Sequence, residues 1–209
     1  MPIKLLFLVA IIQNIKNMRS PKLFMLLLGC RPKGRYTEQH DIFFGIGYEL
    51  KDLIKEIKQS WPEAKGNIHI DAWRTVTSVD NYNISIIPKS IETKKQSKEK
   101  LFFINLGGYK ENEFNEHHYT LLVVADNKQT ASAKAKQAAF YKHASLKDND
   151  IHHKALSHID DKYGIDIDEL YDIKDILSIT AKEKYSIEIS SGSTTTDACN
   201  LGYTKLSEL

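Results

Sequence analysis

The chain predicts an α+β fold: a tandem duplication of a strand-strand-helix-strand-strand unit, a β-grasp-like roll, whose second copy has an enlarged helical crossover. Three observations lead there. KLFMLLLG at 22–29 recurs as KLFFINLG at 100–107, and the match runs without a gap into Glu38-Gln39-His40 and Glu116-His117-His118 at one offset of 78 residues (100 − 22). Downstream, IHIDAWRTV at 68–76 aligns with IDIDELYDI at 165–173 at an offset of 97 (168 − 71), which puts 19 inserted residues (97 − 78) in the second crossover. Between these blocks in the first copy lies an apolar stripe at helical spacing. Self-similarity at a fixed offset identifies the architectural unit before any single element is assigned.

The elements follow in order. Residues 22–28 are an apolar run too short for a helix and closed by Gly29, the pattern of a strand buried on both faces, and 101–106 repeat it. The loop 30–37 carries Pro32 and Gly34, which fix and permit turn dihedrals. The chain returns through His40 to Ile46, completing a hairpin. Leu50, Leu53, Ile54, Ile57 and Trp61 mark one face of an amphipathic helix over 48–61, with Lys51, Lys55, Glu56 and Lys58 outside it and Pro62 as its stop. Residues 68–76 alternate as a strand, and after an Asp80-Asn81 turn 82–87 form another.

In the second unit Asp126 or Asn127 caps a helix. Its Ala131, Ala135, Ala138 and Ala139 share a face, so its backbone should approach the sheet closely. A further helical segment with Ile151, Ala155, Leu156 and Ile159 on its apolar side ends at Gly164, ahead of strands at 165–173 and 185–189. A right-handed crossover over a mixed sheet should set the third or fourth strand beside the first. A ferredoxin-like unit is excluded, because 30–37 leaves no room for a helix between the first two strands. The expected layout is an extension at 1–17, a first unit at 18–88, a lysine-rich linker at 89–99, a second unit at 100–189 and a Ser/Thr-rich mobile tail at 190–209.

A length of 209 residues suits two such units. With Lys+Arg 29 against Asp+Glu 27 the formal charge is +2, too little for a field that would hold the protein on nucleic acid or an anionic membrane. Neither is an expected partner; a protein or a small anionic ligand is. Cys30 and Cys199 fit neither a disulfide framework nor a metal knuckle, which points to the cytoplasm. The apolar run 5–12 is shorter than the roughly 20 residues that span a bilayer and has no small-x-small cleavage site after it. With Met18 just ahead of the first repeat, 1–17 is expected to be dispensable or an upstream translation artefact.

The run LLGCRPKGRYTEQHDIFFGIG, the later HIDAWR, and in the second unit LGGYKENEFNEHHYTLLVVA and SHIDDKYGIDIDELYDI resemble an uncharacterised bacterial family catalogued as domain of unknown function 1543, in two copies. The resemblance extends over 22–189. It implies a small soluble bacterial protein and brings with it no activity, cofactor or catalytic residue.

Glu38 and His40 lie two apart on a strand and so share a face with Ile42, Phe44 and Ile46. Glu116 and His118 repeat the arrangement. A duplicated Glu-x-His can supply metal ligands or an acid/base pair. Alternatively, each Glu and His closes its hairpin mouth by hydrogen bonds to loop backbone. Two ligands per unit are one short of the usual catalytic set, so the structural reading is favoured and neither metal nor cofactor is expected. His143, His152, His153 and His158 lack the H-x3-H spacing of a helical metal site, and the acidic run 160–169 lacks the order of a calcium loop.

Gly45-Ile46-Gly47 lacks the third glycine of a phosphate cradle. Cys30 has no neighbouring base to make it a nucleophile, and Trp61 and Trp73 are expected in core or rim packing rather than as stacking platforms. Arg31, Lys33 and Arg35 stand where the second unit has Lys110, Glu111 and Glu113. Either the basic loop binds an anion, or the two loops meet across a pseudo-two-fold axis. The sequence therefore favours a non-enzymatic binding or interaction module. The alternative is a small metal-assisted hydrolase built on Glu38, His40, Glu116 and His118.

Overall fold

The computed structural model describes residues 20–91, 97–109, 112–147 and 166–209. The expected extension at 1–17, residues 92–96 of the linker, and the segment with His152, His153, His158 and Gly164 lie outside the described residues. In chain order the strands and helices are β1 (Lys22–Cys30), β2 (Gln39–Gly47), α1 (Ile54–Ser60), β3 (His69–Thr75), β4 (Ser78–Val79), β5 (Tyr82–Pro88), β6 (Lys100–Tyr109), β7 (Glu116–Ala125), α2 (Lys128–Lys147), β8 (Asp166–Asp172), α3 (Ile173–Ile176), α4 (Ile179–Lys184), β9 (Tyr185–Ser191) and β10 (Asn200–Lys205). This is an α+β protein. Among the described residues no helix is long and apolar enough to cross a membrane.

The two hairpins form as the sequence reads. β1 pairs antiparallel with β2, and β6 with β7. A 3-10 turn at Leu50–Leu53 opens the first crossover, where the Asp52 carboxylate accepts from the Tyr48 and Glu49 amides at 2.9 Å. α1 follows, and Pro62 sits in the turn beyond it. β3 then docks on the other side of β1, as β8 docks on β6. At 80 and 81 both residues have positive φ, the requirement of a tight hairpin turn that Asp and Asn tolerate. In the second crossover Asn127 Oδ1 accepts from the Thr130 amide at 2.8 Å and caps α2. Ala131 and Ala135 are fully buried, which gives the expected close approach to the sheet. Ala138 is exposed, so the helix has run past the sheet by then.

Four expectations are corrected. Neighbouring strands are antiparallel throughout the described sheets, not mixed; β2 and β3 run parallel only with β1 between them. The fourth strand of each unit leaves the roll altogether: β5 pairs with β9 in a separate sheet that joins the units. Its isoleucines Ile84 and Ile86 are buried in the core between the two units, where a place in the first sheet would not put them. The tail expected to be mobile instead contributes β10, which covers the outer edge of β3 and would otherwise leave a row of unpaired backbone groups. Leu206 anchors it in the α1-side core, and Asp197 accepts from the Thr77 and Ser78 amides at 2.8 and 3.1 Å. Finally, the single helix expected over 48–61 is a 3-10 turn followed by the seven-residue α1, because the Asp52 carboxylate takes the Tyr48 and Glu49 amides at its start; α3 and α4 fill the stretch before β9, capped by Asp172 and Ser178, whose side chains accept from the Lys174 and Ala181 amides at 3.1 Å.

Strand alternation divides the packing into three cores. Odd residues of β1 such as Leu23 and Met25 join Phe44 and Ile46 against Leu101, Phe103, Leu122 and Val124 of the other unit. Phe44 and Phe103 meet edge to face at 5.4 Å. Even residues, Phe24, Leu26 and Leu28, pack under Leu53 and Ile57. Phe102, Ile104 and Leu106 pack with Ala131 and Ala135 in the third core. The middle core belongs to both units, so neither can be removed without exposing the other.

Candidate functional site

β1 carries Gly29 opposite His40 of β2 on one side and His69 of β3 on the other. A strand interior is a poor place for glycine unless something else needs the space. Here a Cβ on Gly29 would overlap His69 Nε2 and Asp71 Oδ2. Asp71 reaches that space because the register slips: Leu27 faces Ala72 but Leu28 faces Ile70, leaving Asp71 as an extra residue. Such a bulge re-aims a side chain that strict alternation would send elsewhere. Four polar side chains converge as a result. His69 Nε2 lies 3.2 Å from Glu38 Oε1 and 3.3 Å from Asp71 Oδ1, and His40 Nε2 lies 3.4 Å from Asp71 Oδ2 and 3.9 Å from Glu38 Oε2.

His69 is buried, and its ring packs on Tyr203 of β10 with centroids 4.3 Å apart. Asp71 Oδ2 is buried without a hydrogen-bond partner, although it is within ion-pair distance of His40. A buried carboxylate oxygen in that state is one that a bound cation would satisfy.

The second unit builds the same arrangement. Gly107 faces His118 and Asp166, and a Cβ there would overlap the Asp168 carboxylate. The register of β6 with β8 slips between Asn105 and Leu106, which leaves Asp168 as the extra residue. Ligand atoms of Glu116, His118 and Asp168 all lie within 4.8 Å of one another. His118 Nδ1 is 3.3 Å from Asp168 Oδ2, and Nε2 is 3.9 Å from Glu116 Oε2. The difference is the counterpart of His69. It is Asp166, which is exposed, while the Asn105 amide bridges His118 Nδ1 at 3.1 Å and Glu169 Oε2 at 2.8 Å.

All four residues singled out in the sequence, Glu38, His40, Glu116 and His118, therefore sit in these clusters, where each Glu lies near the His two residues on and each His also meets an aspartate of the neighbouring strand. His69, Asp71 and Asp168, with the glycines that make room for them, were missed. The signal was present, since Gly29/Gly107 and Asp71/Asp168 are shared by the aligned blocks. Arg31, Lys33 and Arg35 lie exposed in the first hairpin loop. Lys110 and Glu111 are outside the described residues, and Glu113 of the loop binds His117 at the start of β7 at 2.6 Å. Cys30 is buried, and burial first, then the Glu38 charge, push its thiol up, the opposite of an activated nucleophile. Beyond Gly47 the Tyr48 and Glu49 amides are taken by the Asp52 carboxylate, so they are not open to a phosphate. Trp61 and Trp73 pack on the α1-side core.

Each cluster has nitrogen and oxygen donors of the kinds that hold a divalent ion of the zinc type, two histidines and two carboxylates in the first and one histidine and two carboxylates in the second; among the described residues, three donors converge within 4.8 Å of one another in the second cluster and not in the first. Without an ion the same groups would form a network of charged hydrogen bonds.

Residues 35–86, which include Glu38, His40, His69 and Asp71, match the family model described as Domain of Unknown Function (DUF1543). Among solved structures the chain is similar to a protein Il1583 from Idiomarina loihiensis, at 20% identity over 89% of this chain and 98% of that one, with a TM-score of 0.55. At that identity the likeness shows the fold alone. No curated protein matches the chain.

Proposed function

We propose that the protein is a non-enzymatic binding module that holds divalent transition-metal ions at two related sites, Glu38/His40/His69/Asp71 and Glu116/His118/Asp168. The observation that carries this is the pair of bulges. Each places an aspartate beside a strand glycine and raises a two-donor Glu-x-His to at least three donors, the number a bound ion needs from protein. We also infer two copies of one ancestral unit, because the bulges fall at Leu27/Leu28 and Asn105/Leu106, 78 residues apart like the rest of the repeat. The two cysteines are free thiols, which supports a reducing cytoplasm as the compartment.

Elemental analysis and calorimetric titration of the full chain with Zn2+, Ni2+ and Mn2+ test the reading. Two equivalents are expected, with one lost in His40→Ala, one in His118→Ala, and both in the double variant. If no ion binds stoichiometrically and each substitution instead costs about 1 to 3 kcal/mol of stability, the clusters are ion-pair networks that close the hairpin mouths. A second reading, a metal-assisted hydrolase, is favoured by one observation: the second trio is exposed, leaving coordination positions for water and substrate. Zn2+-dependent hydrolysis of p-nitrophenyl acetate or phosphate that disappears in both variants would select it.

A further inference from the structure

Where the two sheets diverge, the core between the units opens into a cleft of about 650 Å3, within the range of small-molecule sites. Its floor includes Met25, Leu27 and Ile42, and His118 stands on its wall. Leu27 and Ile42 are only half-buried, although they continue the rows that begin with Leu23 and end with Phe44 and Ile46 in the closed part of the core. Arg74 also lines this cleft.

Its guanidinium has one partner among the described residues, the Met25 thioether sulfur at 3.5 Å. A thioether is a weak acceptor, and the guanidinium of a half-buried arginine such as Arg74 carries several donors that ordinarily find a carboxylate or phosphate. One carboxylate in the cleft wall, Asp80, is engaged elsewhere, since its Oδ2 accepts from the Val124 amide at 2.9 Å.

We propose that this inter-unit cleft binds a small amphipathic organic acid, with its carboxylate on Arg74 and its aliphatic body over Leu27 and Ile42. An apolar floor with a single cation of open hydrogen-bonding capacity recognises that combination and disfavours both a neutral alcohol and an amine of the same length. The cleft borders the second metal cluster at His118, but the recognition proposed for it rests on Arg74, Leu27 and Ile42, none of which belongs to either cluster.

The test uses octanoate, octan-1-ol and octylamine with the full chain. Methionine-methyl NMR should show the Met25 signal, assigned through Met25→Leu, moving on addition of octanoate while the Met1 and Met18 signals stay in place. By calorimetry octanoate should bind at least about tenfold more tightly than octan-1-ol, the effect of one charge-assisted pair. Arg74→Met should remove that preference and Arg74→Lys should retain part of it. An unmoved Met25 methyl, equal affinity for acid and alcohol in the wild-type protein, or an undiminished preference in a folded Arg74→Met would each overturn the proposal. The first two readouts need no variant at Arg74.

Discussion

At the scale of single residues, the two cysteines give the plainest check on the burial pattern. Cys199 is exposed and Cys30 buried, so one thiol should react rapidly with a disulfide reagent in native protein and the second only on unfolding. The Cys30 thiol is raised above its ordinary value of 9.0, by burial first and by Glu38 second. Its neutral form is thus favoured in the fold. The stability this brings is complete below the ordinary value and is lost as pH rises through the native one, because the unfolded chain ionises first. The fall in denaturation midpoint above about pH 9 should therefore be shallower in Cys30→Ala. The glycines make a second test. Gly107→Ala would force the Asp168 carboxylate away and should abolish binding of an ion at the second cluster while leaving the first intact. Full occupancy of both clusters in that variant would show that the space beside Gly107 is not needed. Glu38, His40, Glu116 and His118 were legible as a pair of motifs because strand alternation puts them on one face. Asp71 and Asp168 were not, since that same alternation rule has no place for a bulge, which depends on how two strands settle against each other.

At the scale of elements, the hairpins and the place of the first crossover helix could be read locally, because turn residues, an apolar stripe and a proline stop are specified by near neighbours, although the helix expected over 48–61 is a 3-10 turn and only seven residues of α-helix. What could not be read was pairing between distant segments. β10 follows a Ser/Thr-rich stretch whose composition suggests a free tail, yet Leu206 is 6% exposed and inserted beside Ile57 and Ile70, and only the open edge of β3 explains why a strand forms there. Removing 198–209 should lower stability by more than the about 2 to 5 kcal/mol expected for losing a buried leucine alone, since the β3 edge is uncovered as well. A denaturation midpoint unchanged by that truncation would mean that β10 contributes nothing to the fold. A finer substitution, Asp197→Ala, should cost about 1 to 3 kcal/mol by stranding the Thr77 and Ser78 amides it accepts from. The truncation would also remove Tyr203 from the His69 ring, so ion binding should weaken at the first cluster alone.

At the scale of the whole molecule, the β5–β9 ladder is self-complementary in form. Tyr82, Ile84 and Ile86 correspond to Tyr185, Ile187 and Ile189, and the observed pairs are Ile84 with Ile189 and Ile86 with Ile187, arranged symmetrically about Ser85 and Glu188. Such pairing is what two copies of one surface make across a two-fold axis. The core beneath it is shared, with Leu23, Met25, Phe44, Ile46, Ile84 and Ile86 from one unit and Leu101, Phe103, Leu122 and Val124 from the other. The fragment 18–88 should consequently fail as a stable monomer, because it would expose that entire face, far more apolar surface than a soluble monomer carries in one patch. Two outcomes agree with the shared core: an aggregation-prone chain that binds a hydrophobic dye, or a dimer in which β5 of one copy pairs with β5 of another about Ser85. Sedimentation and a thermal melt distinguish them from the contrary result. A monomeric fragment that unfolds cooperatively, with no exposed apolar face, would show that the first unit carries its own complete core and that the second merely rests on it.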